Sequence, residues 1–459
     1  MANVNPRIFR EYDIRGLVGE DLTLGSVRTL GLAYGTFLRR NGVSEAVVGR
    51  DCRLSSFAYS RAIIDALLET GVNVTDIGMV TTPVLYFARI HYGIEGGVMV
   101  TGSHNPPEFN GFKLAYGSDT LYGEGIQNIR HIAEAGDFEW GNGKVERKDV
   151  VPDYVDDVVG RVSLGPRRVR AVVDAGNGAA GPVARMVLER IGADFLPMYF
   201  EPDGTFPNHH PDPTQKANIL GLAAKVKETG ADIGIAFDGD ADRIGVLDQD
   251  GNPVWGDRLQ VVYWREILAK NPGALALIEV KCSQSLVEAV QAMGGRPEFT
   301  RTGHSLVKAR MKETGALFTG EMSGHMFFRD EHYGYDDALY AAVRLLRILT
   351  NSNEGLKEML RDVPTYHSTA EIRVHCPDEE KFQIVKAFTD KIKETNEVIT
   401  VDGARVLFAH GWGLIRASNT QPALVLRAES RSEEGLGEIK KVIEKALGGY
   451  PSVGKIEWD

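Results

Sequence analysis

The sequence Val-Met-Val-Thr-Gly-Ser-His-Asn-Pro-Pro, at residues 98–107, decides how the rest of the chain is interpreted. Its apolar, β-branched start is typical of a buried strand, and the Gly, Asn and Pro residues that follow predict a tight, rigid loop. We expect this loop to hold the hydroxyl of Ser103 outward as a candidate nucleophile. Because a serine in a loop is more often a simple turn residue, this interpretation depends on polar groups elsewhere in the chain.

Helix-like and strand-like segments alternate around this stretch. Helical periodicity at residues 27–38, 57–70 and 82–92 is followed each time by a short apolar run, the last of which carries Ser103. Alternation of this kind predicts an α/β layered domain. We place its end at residue 150, just beyond a polar stretch at 141–148.

Two further segments repeat the pattern, and a third differs from it. Apolar strands at residues 170–174, 232–237 and 274–280 are followed by polar clusters or helices, whereas the chain after residue 366 mixes short strands with two helices. Ligands of open α/β sheets bind where such strands end. The predicted fold is therefore three similar mixed α/β domains, at 1–150, 151–253 and 254–365, with a smaller α+β domain at 366–459.

Composition excludes several classes of protein. The chain has 459 residues, of which 43% are apolar and 25% charged, and contains no run near the ~18 apolar residues of a membrane helix. Its start lacks the order of a secretory signal. The net charge of −11 disfavours a nucleic-acid partner. The three cysteines are widely spaced and odd in number, which favours a reducing cytoplasm over disulfides or a cysteine zinc site.

Three carboxylates follow the strand at 232–237. Asp238, Asp240 and Asp242 alternate with small residues, so one loop can direct all three towards a single point. Like charges at that distance repel unless a cation lies among them, and hard oxygen ligands suit Mg²⁺. An EF-hand calcium loop is excluded because Arg243 and Gln249 occupy the positions that require Gly and Glu.

Two other loops have the composition of ligand sites. Arg416, Ser418, Asn419 and Thr420 offer a cationic fork, two hydroxyls and an amide within five positions, a set that suits a phosphate group. The sequence Gly-Glu-Met-Ser-Gly-His at 320–325 offers an acceptor, a hydroxyl and an imidazole, which suit sugar hydroxyls and proton transfer. Taken alone, either loop is equally well explained as an ordinary polar turn.

Taken together, these motifs resemble the α-D-phosphohexomutase superfamily, and within it the bacterial phosphomannomutase/phosphoglucomutase group. The matching motifs are Thr-Gly-Ser-His-Asn-Pro at 101–106, Asp-Gly-Asp-Ala-Asp-Arg at 238–243, Gly-Glu-Met-Ser-Gly-His at 320–325 and Arg-Ala-Ser-Asn-Thr-Gln-Pro at 416–422. They occur in the order found in the family, and the start at 9–16 matches as well. The resemblance covers essentially the whole chain and implies four domains around a central cleft.

The resemblance also implies a role for individual residues. It makes Ser103 the phosphoserine, which holds Mg²⁺ together with Asp238, Asp240 and Asp242. The residues that would flank the phosphoryl group in transit are Arg15, His104, Lys113 and Arg243. The residues that would bind the sugar are Tyr12, Lys281, His304, Glu321 and Ser323, with His325 as a proton carrier. Those that would hold the second phosphate are Arg416, Ser418, Asn419 and Thr420.

The implied reaction moves a phosphoryl group between O1 and O6 of a hexose phosphate. Phospho-Ser103 would donate its group to the sugar, and the hexose 1,6-bisphosphate so formed would turn around and return the other phosphate. A phosphoglucosamine mutase is an alternative, although Met322 resembles the residue of the mannose and glucose enzymes. A metal-dependent phosphatase is less favoured, because the sequence shows no obvious second His/Asp-rich metal cluster. The sequence leaves the oligomeric state open between monomer and dimer.

Overall fold

The computed structural model describes residues 4–419 and 421–458, which divide into two compact units. Unit 1 comprises the chain up to Leu259 together with Ser323–Met359. Unit 2 comprises Gln260–Met322 together with the chain from Leu360 onward. The domain boundaries at residues 150, 253 and 365 stay a prediction.

The first part of unit 1 is a mixed sheet covered by helices. Its elements are β1 (Ile14–Leu17), α1 (Leu24–Arg40), β2 (Glu45–Arg50), α2 (Ser56–Glu69), β3 (Asn73–Met79), α3 (Thr82–Tyr92), β4 (Gly96–Val100), β5 (Phe109–Tyr116), β6 (Asp119–Thr120), α4 (Glu124–Ala135) and β7 (Val145–Arg147). The strand order is β1-β5-β4-β2-β3-β7, with β6 paired to β5. The three predicted helices and their following strands are confirmed.

Helix α1 illustrates how the sequence produces this packing. Thr23 and Ser26 form a reciprocal capping box at its start, which satisfies backbone donors that a helix end leaves open. Val27 and Leu30 are buried in the core that α1 shares with the strands of the sheet. The hydroxyl of Tyr34 donates to the main-chain oxygen of Ala115 at 2.6 Å. Helix α1 is thereby joined to the end of β5, the strand that carries Lys113.

The second part of unit 1 contains another mixed sheet. Its elements are α5 (Val151–Arg161), β8 (Arg170–Asp174), α6 (Ala180–Arg190), β9 (Asp194–Met198), α7 (Leu220–Thr229), β10 (Ile233–Phe237), β11 (Ile244–Leu247) and β12 (Pro253–Val254). The strand order is β12-β11-β10-β8-β9. β8 and β10 are parallel, with Asp174 opposite Ala236, so the polar residues after both strands lie at one edge.

The remaining elements follow in chain order. Residues 255–322 contain α8 (Gly256–Lys270), β13 (Leu275–Glu279), α9 (Gln284–Ala292), β14 (Arg296–Thr300), α10 (His304–Thr314) and β15 (Phe318–Gly320). Residues 323–359 contain β16 (Met326–Phe328), α11 (Ala338–Thr350) and α12 (Leu356–Met359). Residues beyond 360 contain β17 (His367–Ser368), β18 (Ile372–His375), α13 (Lys381–Ile392), β19 (Val398–Ile399), β20 (Ala404–Phe408), β21 (Gly411–Ala417), β22 (Ala423–Ser430) and α14 (Glu433–Leu447).

The C-terminal part of unit 2 has the predicted α+β character. Its strands are ordered β17-β22-β21-β20-β19, with β18 paired to β22, and Ile384 of α13 and Ile439 of α14 belong to its core. One prediction is wrong here: Arg416 lies in strand β21, opposite Val425, and not in a loop. Across the part of the chain that the structure describes, no helix has the length and apolarity needed to cross a membrane.

Candidate active site

Ser103 lies in the turn that follows β4 and is 1% exposed. Its backbone adopts φ +50°, a left-handed conformation that costs energy in a residue other than glycine. The hydroxyl donates a hydrogen bond to Oδ2 of Asp238 at 3.0 Å and lies 3.1 Å from Nδ1 of His104. The loop thus directs this hydroxyl away from its own backbone and towards Asp238, in a buried position.

Asp238, Asp240 and Asp242 form one buried cluster. Each is 0% exposed, and one oxygen from each lies within 4.8 Å of the others. The loop is tight because Oδ1 of Asp238 accepts from the backbone N–H groups of Asp242 and Arg243, both at 3.1 Å. A Cβ atom at Gly239 would lie 2.5 Å from the main-chain oxygen of Ser103. Only glycine therefore allows the two loops to approach this closely.

The electrostatics of the cluster favour a cation. Burial and the neighbouring charge of Asp242 raise the pKa of both Asp238 and Asp240. Burial would also raise the pKa of Asp242, but nearby positive charge, above all that of Lys113, outweighs it and holds that pKa at about 2. Among the described residues, Oδ1 of Asp240 is buried and accepts no hydrogen bond. Three buried carboxylates with an oxygen left over have the donor set that Mg²⁺ requires.

Two cations lie beside this cluster and are held by Asp13. Oδ2 of Asp13 lies 2.8 Å from Arg15 and 3.8 Å from Nζ of Lys113, and Nζ of Lys113 lies 3.1 Å from Asp242. Burial would lower the pKa of Lys113, but Asp13 and Asp242 outweigh it and raise the pKa. Arg15 also donates to the main-chain oxygen of Gly102 at 3.2 Å. The antiparallel pairing of β1 with β5 brings these residues together.

His325 is oriented by two neighbours. Nε of Arg243 donates to Nε2 of His325 at 3.0 Å, so this nitrogen is an acceptor and Nδ1 carries the hydrogen. Nδ1 lies 3.1 Å from Asp336 and 3.6 Å from Asp242. Asp242, His325 and Asp336 also satisfy the geometry of a possible metal cluster. This group, which shares Asp242 with the carboxylate cluster, was not obvious in the sequence because Asp242 and Asp336 are 94 positions apart in the chain.

Sequence reasoning missed several residues that support this site in unit 1. Thr82, at the start of α3, donates to Oδ2 of Asp240 at 2.5 Å, and Arg53 donates to the main-chain oxygen of Ser103 at 2.8 Å. Asp13 carried a signal, because it lies directly before β1 and two positions from Arg15, the spacing of residues that share one face of an extended chain. No signal in the sequence pointed to Thr82 or Arg53, because the residues that they contact are distant in the chain.

The predicted sugar-binding residues Lys281, His304 and Glu321 belong to unit 2. A buried residue that was not predicted, Glu279, connects their loops. Its Oε1 accepts from the Thr302 hydroxyl at 2.6 Å and lies 3.4 Å from Nζ of Lys281. Burial lowers the pKa of Lys281, but Glu279 and Glu371 outweigh it and raise the pKa. Glu321 accepts from the Gly303 N–H at 2.6 Å, and His304 is 3% exposed.

The predicted phosphate-binding residues also belong to unit 2. Arg416 is buried, and its Nε donates to Oδ2 of Asp402 at 3.1 Å. Ser418 is buried and accepts from the Gln421 N–H at 3.2 Å, while Asn419 is half-buried. Thr420 lies outside the described residues.

Two predicted sugar-binding residues belong to unit 1. Tyr12 is half-buried two positions before β1, and Ser323 is half-buried two positions before His325. The predicted residues thus form two groups, one in unit 1 with Ser103 and one in unit 2 with Arg416.

Comparison with known proteins places this geometry in a family. Sequence profiles for phosphoglucomutase/phosphomannomutase match along the chain: alpha/beta/alpha domain I at residues 6–140, domain II at 152–251, domain III at 255–366 and the C-terminal domain at 371–446.

Individual relatives match over nearly their whole length. The chain is 44% identical to a phosphomannomutase/phosphoglucomutase of Pseudomonas putida, over 96% of this chain and 95% of that one. It is 41% identical to a phosphoglucomutase of Neisseria gonorrhoeae, over 98% and 99%. The crystal structure of a phosphoglucomutase/phosphomannomutase family protein from Burkholderia thailandensis matches with a TM-score of 0.92 and 41% identity, over 97% and 98%. The chain therefore belongs to the phosphoglucomutase/phosphomannomutase family and has its architecture of three mixed α/β domains and a smaller C-terminal domain.

Proposed function

We propose that the protein is a phosphohexomutase that moves a phosphoryl group between O1 and O6 of mannose and glucose phosphates, with phospho-Ser103 as its intermediate. The observation that carries the proposal is the position of Ser103 Oγ, 3.0 Å from Oδ2 of Asp238 and next to the buried carboxylate cluster. A serine hydroxyl there has a carboxylate partner and cations close by. The names of the relatives, a phosphomannomutase/phosphoglucomutase and a phosphoglucomutase, support the two sugars.

In the forward step, the bond between phosphorus and Oγ of phospho-Ser103 breaks as a bond forms between phosphorus and a free sugar hydroxyl. Negative charge on the phosphoryl oxygens needs preorganised cations throughout. Lys113, Arg15 and Arg243 supply them from fixed positions, because carboxylates or an imidazole hold each side chain. Mg²⁺ bound by Asp238, Asp240 and Asp242 would supply further charge neutralisation.

The imidazoles of His104 and His325 would carry out the proton transfers of this step. Burial, together with Arg243 and Arg15, lowers the pKa of His104 well below its ordinary value, so His104 is neutral near pH 7. Since Ser103 donates its only hydrogen to Asp238, Nδ1 of His104 carries a hydrogen and donates it to Oγ. That bond stabilises the serine oxygen when the phosphoryl group leaves. His325, which lies against Arg243 and Asp336, would be the carrier for the proton of the sugar hydroxyl.

Unit 2 would bind the part of the substrate that does not react. Arg416 offers its guanidinium to the second phosphate, and Asp402 fixes that group in place. Glu321 and Lys281 offer an acceptor and a donor for sugar hydroxyls. Because the bisphosphorylated sugar must turn around, the same groups have to hold it in two orientations, and hexose 1,6-bisphosphate would act as an activator that phosphorylates Ser103.

The proposal is tested by replacing the nucleophile. Ser103→Ala removes the oxygen that we propose carries the phosphoryl group, so we expect no incorporation of labelled phosphate from glucose 1,6-bisphosphate and a loss of turnover of at least about 10⁴-fold. Ser118→Ala is the matched control, because Ser118 is exposed in the same unit. Labelling and turnover of Ser103→Ala at wild-type level would overturn the proposal.

A second test addresses the phosphate group that does not react. Arg416→Lys keeps the charge but loses the two-pronged donor geometry, so we expect the KM for mannose 1-phosphate to rise about tenfold, with a larger rise in Arg416→Ala. Equal KM values for the three proteins would remove Arg416 from the proposed site.

We also propose a reducing cytoplasm as the location, since Cys52, Cys282 and Cys376 are thiols and not disulfide partners.

A further inference from the structure

Thr82 contacts the carboxylate cluster from a different part of the fold. It is the first residue of helix α3 and is 0% exposed. Its hydroxyl donates to Oδ2 of Asp240 at 2.5 Å, and its backbone N–H donates to the main-chain oxygen of Asp240 at 2.9 Å. One residue therefore fixes both the backbone and the side chain of Asp240.

These two bonds leave Asp240 with a defined orientation. Since Oδ2 is occupied by Thr82, the remaining oxygen is Oδ1, which is buried and accepts no hydrogen bond among the described residues. Oδ1 is thus the oxygen available for a cation. Threonine is stiff about χ1, and Pro83 follows it in the first turn of the helix, so the hydroxyl is held with little freedom.

The hydroxyl of Thr82 is not needed by its own helix. The capping position of α3 is Thr81, whose side chain makes no capping hydrogen bond. A residue with only a local role at a helix start would direct its oxygen to the first backbone N–H groups. Thr82 directs it to a carboxylate 158 positions away in the chain.

We propose that Thr82 is a positioning residue of the metal site, which orients Asp240 so that Oδ1 faces the cation. The inference rests on the metal-binding part of the proposed function. Hydrogen bonds from outside the ligand set orient the ligands of metal sites, and their loss costs about 10- to 100-fold in metal affinity. Thr82 therefore sets the affinity of the site for its divalent cation without contacting the cation.

The test measures binding of Mn²⁺, as an EPR-visible probe for an oxygen-ligand site, to the purified full-length protein. Thr82→Val keeps the shape and removes the hydroxyl, while Thr82→Ser keeps the hydroxyl and removes the methyl group. We expect Thr82→Val to raise the Kd for Mn²⁺ about 10- to 100-fold, and Thr82→Ser to stay within about threefold of the wild type. Thr81→Val, one position earlier, should leave the Kd unchanged.

The outcomes separate this inference from the proposed function. Wild-type affinity in Thr82→Val, or equal weakening in Thr82→Val and Thr82→Ser, overturns the role of Thr82 and leaves the function proposal intact. Absence of Mn²⁺ binding by the wild-type protein overturns the metal site and the role of Thr82 together. A melting temperature lowered equally in Thr82→Val and Thr82→Ser, with Kd values unchanged, assigns Thr82 to helix stability alone and also overturns the inference.

Discussion

Arg53 is the residue that holds the Ser103 turn in shape. Its side chain is 0% exposed, and its Nε lies 3.2 Å from Asp51. Its two terminal nitrogens donate at 2.5 to 2.8 Å to four main-chain oxygens, those of Ser103, Asn105, Pro106 and Phe109. A planar guanidinium matches this set of acceptors, whereas an ammonium group does not. The left-handed conformation of Ser103 persists because the surrounding contacts determine it.

We predict that Arg53→Lys lowers kcat about 100-fold, because a nucleophile misplaced by about 1 Å costs that factor. KM for the hexose phosphate should change little, since the predicted phosphate-binding residues belong to unit 2. Arg50→Lys, in strand β2, is the control. Steady-state kinetics together with near-UV circular dichroism measure the effect. An unchanged kcat in a folded Arg53→Lys protein would contradict it.

His209 gives a pH dependence in unit 1 that is separate from the carboxylate cluster. Its Nε2 lies 3.0 Å from Asp174 and its Nδ1 lies 2.9 Å from the main-chain oxygen of His210. Partial burial lowers the pKa of His209, but the hydrogen bond and charge of Asp174 outweigh it and raise the pKa. The protonated imidazole, with two donors, fits these two acceptors.

A folded-state pKa above the unfolded value means that the folded state binds the proton more tightly. The stability that His209 contributes is therefore complete below the unfolded pKa and is lost as the pH rises through the folded pKa. We predict that the melting temperature of the wild type exceeds that of His209→Gln by more at pH 5.5 than at pH 8.5. Differential scanning fluorimetry at both pH values measures it, and a difference that grows with pH would refute the assignment.

At the scale of elements, the end of β13 organises the sugar-binding loops of unit 2. Glu279 is the last residue of that strand, and it accepts from Thr302 just before α10 and from the Met322 N–H just after β15, at 2.6 and 3.1 Å. One buried carboxylate thus joins three strand or helix ends that carry Lys281, His304 and Glu321.

We predict that Glu279→Gln raises KM for glucose 1-phosphate about tenfold, equivalent to ~1.4 kcal/mol of binding, with kcat within a factor of three. The amide keeps the size of the side chain but replaces one acceptor with a donor that faces Thr302 or Met322. Glu298→Gln on strand β14 is the control, because Glu298 is exposed. A fall in kcat at constant KM would assign Glu279 to the chemistry and contradict the prediction.

Elements with a strong apolar pattern were predictable from the sequence, and strand β21 was not. The strand at 232–237 followed from the apolar residues Ile233, Ile235 and Phe237 on either side of Gly234, with the aspartates directly after it. Strand β21 was missed because Gly411 and Gly413 weaken the strand pattern. A Cβ atom at Gly413 would lie 2.9 Å from Ile439 of α14, so close helix packing requires that glycine. The motif residues were identified through their family resemblance, whereas Thr82, Arg53 and Glu279 contribute through contacts that span 23 to 158 positions.

At the scale of the whole molecule, the candidate residues divide by chemistry between the two units. Unit 1 carries Ser103, the carboxylate cluster and the cations around them, and unit 2 carries the predicted phosphate-binding residues and most of the sugar-binding residues. Substitutions in the first group should therefore act mainly on kcat, and those in the second mainly on KM. The carboxylate cluster also bears on stability, because three buried like charges oppose folding until a cation joins them.

We predict that Mg²⁺ raises the melting temperature of the wild-type protein, since a ligand that binds only the folded state adds about 2.7 kcal/mol at 100 times its Kd. The melting temperature of Asp240→Asn should differ from that of the wild type both without metal and with Mg²⁺. Without metal it should melt above the wild type, because burial and the charge of Asp242 oppose ionisation of Asp240 and raise its pKa. With Mg²⁺ its melting temperature should rise little, because a ligand is lost. Asp250→Asn, in an exposed turn, is the control.

Fluorimetric melting after EDTA treatment and gel filtration, with and without Mg²⁺, measures both effects. If Asp240→Asn melts below the wild type without metal, repulsion in the cluster is not what limits stability; if it responds fully to Mg²⁺, Asp240 is not a ligand.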